Sequence, residues 1–509
     1  MEILAFAIYF VLMLGIGVWF FFKGKNETGE QEYFLGGRSM GPWVTAMSAQ
    51  ASDMSAWLLM GLPGSMLAFG LGKAWIGIGL GIGTILNWLI TAKRLRKLSK
   101  AANDSITLPQ YLTNRFAAKN PALKIVCAIV FLISFTIYVA SAFSAGTKVF
   151  TSLFPALDPT FAMIIFAAII LIYTFLGGYK AVCWTDFFQG LLMLVALLSI
   201  PLFSVVIITR VSAVLDSSMI TQTVIGADGT AYNFVTSFFS ADPKDIISGL
   251  AWGLGYFGMP HILVRFMSIE KPSMVKKSSI VAIIWVILSL VSVVLVAYFG
   301  RILVLRNGQS FAEMLLSEGK QELVFVCLAR YLFPAFIAGI LLAAIIAASM
   351  STADSQLLVA SSSFTSDIYK AIFRKNADDE ELLWVGRLVV IVVSLVAFFI
   401  ASNKGSGAAA IMDMVENAWG LFGASFGPVI ILSLFWKRYT YAGALAGIIS
   451  GAAVDILWLN FMSSTGIYEI LPGFIAGLII SVIVTLISKA PSYEVIKIFE
   501  KGTDDSVDD

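Results

Sequence analysis

Residues 41 to 64 read GPWVTAMSAQASDMSAWLLMGLPG, an apolar stretch long enough to enter a bilayer, with Asp53 at its middle among small residues. A carboxylate at mid-membrane costs roughly 2.5 to 3.5 kcal/mol on insertion scales, so such a group faces a watery cavity, a partner or an ion. Helix packing is the plainer alternative, in which Asp53 only hydrogen-bonds loose backbone. Gly41, Pro42, Gly61, Pro63 and Gly64 flank the run Ala51, Ser52, Asp53 and weaken the helical ladder on either side of it.

The rest of the chain is of the same kind. Charged residues make up 13 % of its 509 residues, about half the share usual in soluble domains, and 59 % are hydrophobic. Mean hydropathy is +0.88. A net charge of +2 points to neither nucleic acid nor an acidic substrate. Cys127, Cys183 and Cys327 fall in or beside apolar segments without metal-ligand spacing, which reads as buried thiols and no disulfide framework.

Apolar runs predict thirteen membrane spans, near 2–22, 41–64, 74–92, 124–152, 159–178, 184–209, 246–264, 278–300, 333–360, 384–402, 409–436, 440–461 and 470–488. Glu2 and the absence of a basic leader make the first a retained helix rather than a signal peptide. Loops after the odd-numbered spans, with the C-terminus and adjoining helix ends, hold most of the 34 Lys and Arg residues, led by Lys93, Arg94, Arg96, Lys97 and Lys100. Basic residues accumulate on the cytoplasmic side, so the amino terminus is expected outside and the carboxyl terminus inside. One transmembrane domain is expected over 1–490, followed by a solvated polar tail over 491–509.

A second span reads as broken. SGLAWGLGYFGMPHIL, at 248–263, carries four glycines and Pro260, and it lies five spans after the first interrupted segment. Interrupted segments at matching positions of two halves point to an inverted-repeat transporter, whose unwound backbone offers carbonyls and half-helix ends to ion and substrate. Close packing of glycine-rich helices is the alternative. The repeats would cover 41–210 and 241–436, with 2–40 before them and the helices of 437–490 after.

Span nine, AIIAASMSTADSQLLVASSS, concentrates oxygen in an apolar helix. Ser351, Asp354 and Ser355 share one face at i, i+3, i+4 spacing, and Thr352 points to the adjacent one. Hydroxyls and unwound carbonyls suit a sodium ion, which trades its hydration shell for several oxygens. Serine and threonine bonded back to carbonyls a turn earlier would look the same. Trp252, Tyr256 and Pro260 form a four-residue stripe that could line a pocket for a small, partly apolar solute, or could be ordinary packing.

Four runs together, GGRSMGPWVTAMSAQASDMSAWLLMGLPG, WGLGYFGMPHILVRF, YTFLGGYKAVCWTDFFQG and AASMST, resemble the sodium/solute symporter family over nearly the whole chain, from Tyr33 to about Pro491. The resemblance is strongest to the family's proline-transporting members. It implies an all-α polytopic membrane protein of about 13 transmembrane helices, with a LeuT-type five-plus-five inverted repeat, one extra N-terminal helix and two extra C-terminal ones. It also implies a multi-pass cell-membrane location and sodium-coupled symport of L-proline, with no enzymatic step and no obligatory protein partner.

By matching position, the resemblance implies a sodium site from the carbonyls of Ala51, Met54 and Ala348 and the hydroxyls of Ser351 and Thr352. Asp53 and Arg38 would support it. Ser55, Trp57, Tyr138, Trp252, Tyr256 and Pro260 would surround the substrate. Ala56, Gln50 and Asp354 depart from the family pattern. Asp354 could join Asp186, Ser351 and Ser355 in a second cation site, or two close carboxylates could instead hold a proton.

Other classes are disfavoured. His261 is the only histidine, no HExxH occurs, and Gly72-Lys73-Ala74 is not part of a Walker loop because Leu67 stands where a glycine is required. His261 itself reads as a helix-end residue. A cation channel would need a continuous pore, which two broken helices around one buried acid do not suggest.

Overall fold

The computed structural model describes residues 1–23, 30–176, 178–207, 214–305, 308–403 and 410–504. Ten helices among them are long and apolar enough to cross a membrane. A bent pair, Pro243–Phe257 and Pro260–Ser268, turned by 43° at its break, brings the count to eleven when it is taken as one span. Two more of the expected spans are apolar helices too short to count as unbroken crossings, Trp57–Phe69 and Pro159–Phe175. The irregular backbone at the two helix breaks is buried in protein, as it must be where no water can satisfy it.

The first broken helix runs over Pro42–Asp53, opens at Met54 to Ala56, makes one wide turn at Trp57–Gly61 and resumes as Leu62–Phe69. Met54 leaves the helical region (φ −83°, ψ 73°) and the Ser55 amide donates to the Asp53 carbonyl at 3.0 Å. The second broken helix runs over Pro243–Ala251, tightens over Trp252–Phe257 and restarts at Pro260. Proline is tolerated there because the first amide of a helix has no acceptor anyway. Gly258 is required at this break, since a Cβ would lie 2.4 Å from the Phe422 carbonyl oxygen.

The two breaks meet at the centre of the bundle. Around them stand the serine-rich helix Ala335–Ser362 and the helices Ala122–Leu153, Tyr179–Ile207 and Ala410–Phe435. Helices Tyr441–Phe461 and Ile470–Ile487 form a tight hairpin outside this core; a Cβ at Gly447 would fall 1.9 Å from Ser481 Oγ. Small two-stranded ladders, Val214–Leu215 with Leu303–Val304 and Val224–Ile225 with Ala231–Tyr232, order the loops at one end.

The basic run 93–100 lies on helix Ala92–Ala101, which continues the third span with Leu95 and Leu98 buried. One expectation is corrected. The polar tail expected from 491 begins later, because Tyr493–Thr503 forms an amphipathic helix. Val495 and Phe499, four apart, are buried, and Gly502 closes against Leu98. Residues 505–509 of that expected tail lie outside the described residues.

Candidate functional site

The serine-rich helix reaches the first break through one short bond. Ser351 Oγ donates to the Ala51 carbonyl at 2.8 Å and lies 3.2 Å from the Ala348 carbonyl. Thr352 Oγ1, one residue on, is buried without a hydrogen-bond partner. Ala51, Met54, Ala348, Ser351 and Thr352 are all fully buried. Oxygens from two separate segments are thus held side by side, and none of them belongs to a charged group. Such a donor set fits a hard monovalent cation.

Asp53 occupies the end of the first half-helix, facing the second broken helix. Its Oδ2 accepts from Tyr256 Oη at 2.6 Å, while Oδ1 is buried without a partner. Its backbone carbonyl accepts from Tyr138 Oη at 3.4 Å. Tyr256 is fixed from the other side, where Asn87 Nδ2 donates to its carbonyl at 3.0 Å. Its carboxylate thus links two discontinuous helices through a side chain rather than through loose backbone, and keeps one oxygen without a partner.

Aromatic rings wall the adjoining space. Trp57 and Trp252 stand 6.2 Å apart between ring centroids, and Trp252 continues to Trp419 at 6.3 Å and Tyr468 at 5.1 Å. Trp57 is fully buried beside Tyr138, whose hydroxyl is within reach of the indole. Ser55 Oγ sits at the break, 3.5 Å from the Trp57 amide. Pro260 opens the half-helix Pro260–Ser268, whose positive end suits a carboxylate. Trp419 was not foreseen; its Nε1 donates to the Trp252 carbonyl at 2.8 Å and its ring meets Tyr256. Only its place in an apolar span with no other polar role could have flagged it.

The acidic group around Asp186 is built differently from the expectation. Arg265 Nη2 lies 3.1 Å from Asp186 Oδ2 and 2.5 Å from Ser355 Oγ, while Ser48 Oγ donates to the same carboxylate oxygen at 2.7 Å. A guanidinium thus stands among Asp186 and Ser355, where the second cation was expected, and Ser351 is turned to Ala51. Both oxygens of Asp354 are buried without partners. Arg265 went unnoticed as a charge near the end of an apolar half-helix; its spacing of four from His261, inside the run, was the available signal. His261 lies in the first turn of the half-helix Pro260–Ser268, as expected, and is fully buried there.

Arg38 is remote from the ion ligands. It sits with positive φ (52°) in the turn before Pro42, bonding Asp104 at 2.7 Å, Ser99 Oγ at 3.1 Å, and the carbonyls of Met267 and Ser105 at 2.5 and 2.8 Å. Burial lowers its pKa, and Asp104 opposes that shift. It clasps the start of the first broken helix to the end of the second.

Two broken helices, an oxygen-lined joint and a buried aromatic cluster between them are the features of a secondary membrane transporter rather than of an enzyme. A family model described as the sodium:solute symporter family matches residues 33–451. The chain belongs to that family, and sodium is its coupling ion. It is 43 % identical over 503 residues to the sodium/proline symporter of Escherichia coli, covering 98 % of this chain and 96 % of that one. It is 41 % identical over 504 residues to the osmoregulated proline transporter OpuE of Bacillus subtilis, covering 98 % of each. Among solved structures, a sodium-coupled sialic acid symporter in a substrate-bound outward-open state shares the fold, with a TM-score of 0.71 at 21 % identity over 96 % of this chain and 98 % of that one. The fold is accordingly the expected all-α, LeuT-type arrangement in the cell membrane.

Proposed function

We propose that this chain carries L-proline inward with sodium by alternating access, its amino terminus outside and its carboxyl terminus in the cytoplasm. The observation that carries the coupling is the pair of bonds Ser351 to Ala51 and Tyr256 to Asp53, which join ion ligands and pocket wall through three residues of one break. Relatives named for proline transport at 40 to 43 % identity support the substrate. The basic helix Ala92–Ala101 at the Arg38 end supports the orientation.

Sodium binds the carbonyls of Ala51, Met54 and Ala348 and the hydroxyls of Ser351 and Thr352. It thereby fixes the first break against the serine-rich helix and sets Asp53. Asp53 then holds Tyr256, which places Trp252 and Pro260 around the solute. Ser55, Trp57 and Tyr138 complete the pocket. The ring of proline is apolar and matches the aromatic walls, while its carboxylate meets the half-helix end at Pro260. At about 100 mV, inside negative, one entering charge supplies roughly 2.3 kcal/mol, or about fiftyfold accumulation before any sodium gradient. Asp186 stays with Arg265, leaving one sodium per cycle.

The test is uptake of labelled proline into liposomes holding the purified protein. Uptake should require external sodium and respond to membrane potential, with little competition from monocarboxylates, pantothenate or other amino acids. Equal accumulation with choline on both faces would defeat the proposal.

A further inference from the structure

We infer that the hairpin formed by Tyr441–Phe461 and Ile470–Ile487 carries a second cation site, apart from the sodium joint, in which Asp455 and Glu469 hold a hard cation beside Gly420. Asp455 is 1 % exposed and Glu469 7 %. Asp455 Oδ1 and Glu469 Oε1 are both buried without hydrogen-bond partners. They are aimed at the same place: a Cβ built on Gly420 would lie 3.1 Å from Asp455 Oδ1 and 3.4 Å from Glu469 Oε1. Three polypeptide segments thus converge at Gly420, where Glu469 Cγ would also lie 3.3 Å from that Cβ, and two unpartnered carboxylate oxygens face the same glycine.

Charge makes this costly unless something fills it. No Lys or Arg pairs with either acid among the described residues. Lys73 is engaged with Asp245 at 3.0 Å, and a third buried acid, Glu416, lies on the Gly420 helix within electrostatic reach of Glu469. Glu469 gains from the positive end of the helix that begins at Ile470, but Asp455 lies inside its helix and has no such support. Buried like charges without counter-ions are paired, protonated or bound to metal. Every donor here is an oxygen, which selects a hard cation, and sodium and calcium both accept carboxylates completed by carbonyls and water. No group of three or more His, Cys, Asp or Glu among the described residues is set to ligate a metal, so this is a two-carboxylate site.

The site is connected to the solute pocket. Tyr468, next to Glu469 in the chain, lies against Trp252 and donates from Oη to the Glu416 carbonyl at 2.7 Å. Ser248 Oγ bonds both the Gly466 carbonyl (3.2 Å) and the Tyr468 amide (3.1 Å), which ties the hairpin to the second broken helix at the end opposite Arg38. A cation drawing Asp455 and Glu469 together would therefore set Tyr468 against Trp252 and favour proline binding.

Equilibrium binding of radioactive sodium and of radioactive calcium to the full-length protein in nanodiscs tests this. Wild type should bind one more ion per chain, of one of the two isotopes, than Asp455→Asn/Glu469→Gln, and the isotope lost identifies the cation. Gly420→Ala puts a methyl against both oxygens without removing charge, so it should abolish the same ion even if the double variant fails to fold. Both changes should raise the KM for proline by about fivefold or more while sodium dependence of uptake persists. Equal stoichiometry of both isotopes in wild type and Gly420→Ala, or a variant effect confined to the pH profile, would overturn the inference; loss of sodium-dependent uptake in wild type would instead bear on the proposed function.

Discussion

Asp53 is a buried acid that is only half satisfied: Oδ2 accepts from Tyr256 and Oδ1 has no hydrogen-bond partner. A hydrogen bond to a charged group is worth about 1.5 to 3 kcal/mol, so Asp53→Asn should raise the sodium concentration for half-maximal proline uptake by about ten- to a hundredfold. Tyr256→Phe removes only the donor at 2.6 Å. It should move the sodium and proline constants together, each by less than Asp53→Asn moves sodium. Sodium titrations of proline uptake, run at several proline concentrations, separate the two patterns. Arg265 belongs to a different ledger of charge. Removing one partner of a buried ion pair typically costs about 3 to 5 kcal/mol, and Arg265→Ala would strand Asp186 between Ser48 and Ser355. Its thermal unfolding in detergent should fall well below wild type, and adding Asp186→Asn should restore most of the loss.

At the scale of elements, the breaks depend on close backbone approach, and glycines mark where. Gly258 lies under the Phe422 carbonyl, whereas a Cβ at Gly41 meets nothing within 4 Å. Gly258→Ala should abolish uptake at normal membrane expression, while Gly41→Ala should retain most of it; transport assays with quantified surface protein decide. Both broken spans were legible because glycine and proline interrupt otherwise apolar runs. The partners across each break were not. Helical spacing put Ser351, Asp354 and Ser355 on one face, yet their hydroxyls part company, Ser351 to Ala51 and Ser355 to Arg265. Which oxygen meets which cation depends on contacts hundreds of residues apart, and periodicity carries no such term. The helix Tyr493–Thr503 was missed for a related reason: its apolar side is only Val495, Ile498 and Phe499, too little to stand out until Arg115 and Leu98 are there to receive it.

For the whole molecule, alternating access requires that one end of the pocket stay shut while the other opens, and the Arg38 clasp closes one end here. Arg38 spans the turn before Pro42, the segment 99–105 and the Met267 carbonyl, so it ties together three segments that converge at one end of the two broken helices. Most of its bonds go to backbone and to Ser99; the exposed Asp104 contributes less, as surface ion pairs are worth about 0 to 1 kcal/mol. Arg38→Ala should therefore populate the open form far more than Asp104→Ala does. Cys183 reports this directly, because it lies fully buried three residues before Asp186, on the helix that faces the clasp through Tyr179 and Ser268. With Cys127 and Cys327 replaced by serine, a membrane-impermeant thiol reagent should label Cys183 in Arg38→Ala several-fold faster than in the parent in inside-out vesicles, and not in right-side-out ones. Sodium, by tying the first break to the serine-rich helix, should slow that labelling. Faster labelling from the opposite face would reverse the orientation, and unchanged rates from both faces would remove the clasp from the transport cycle.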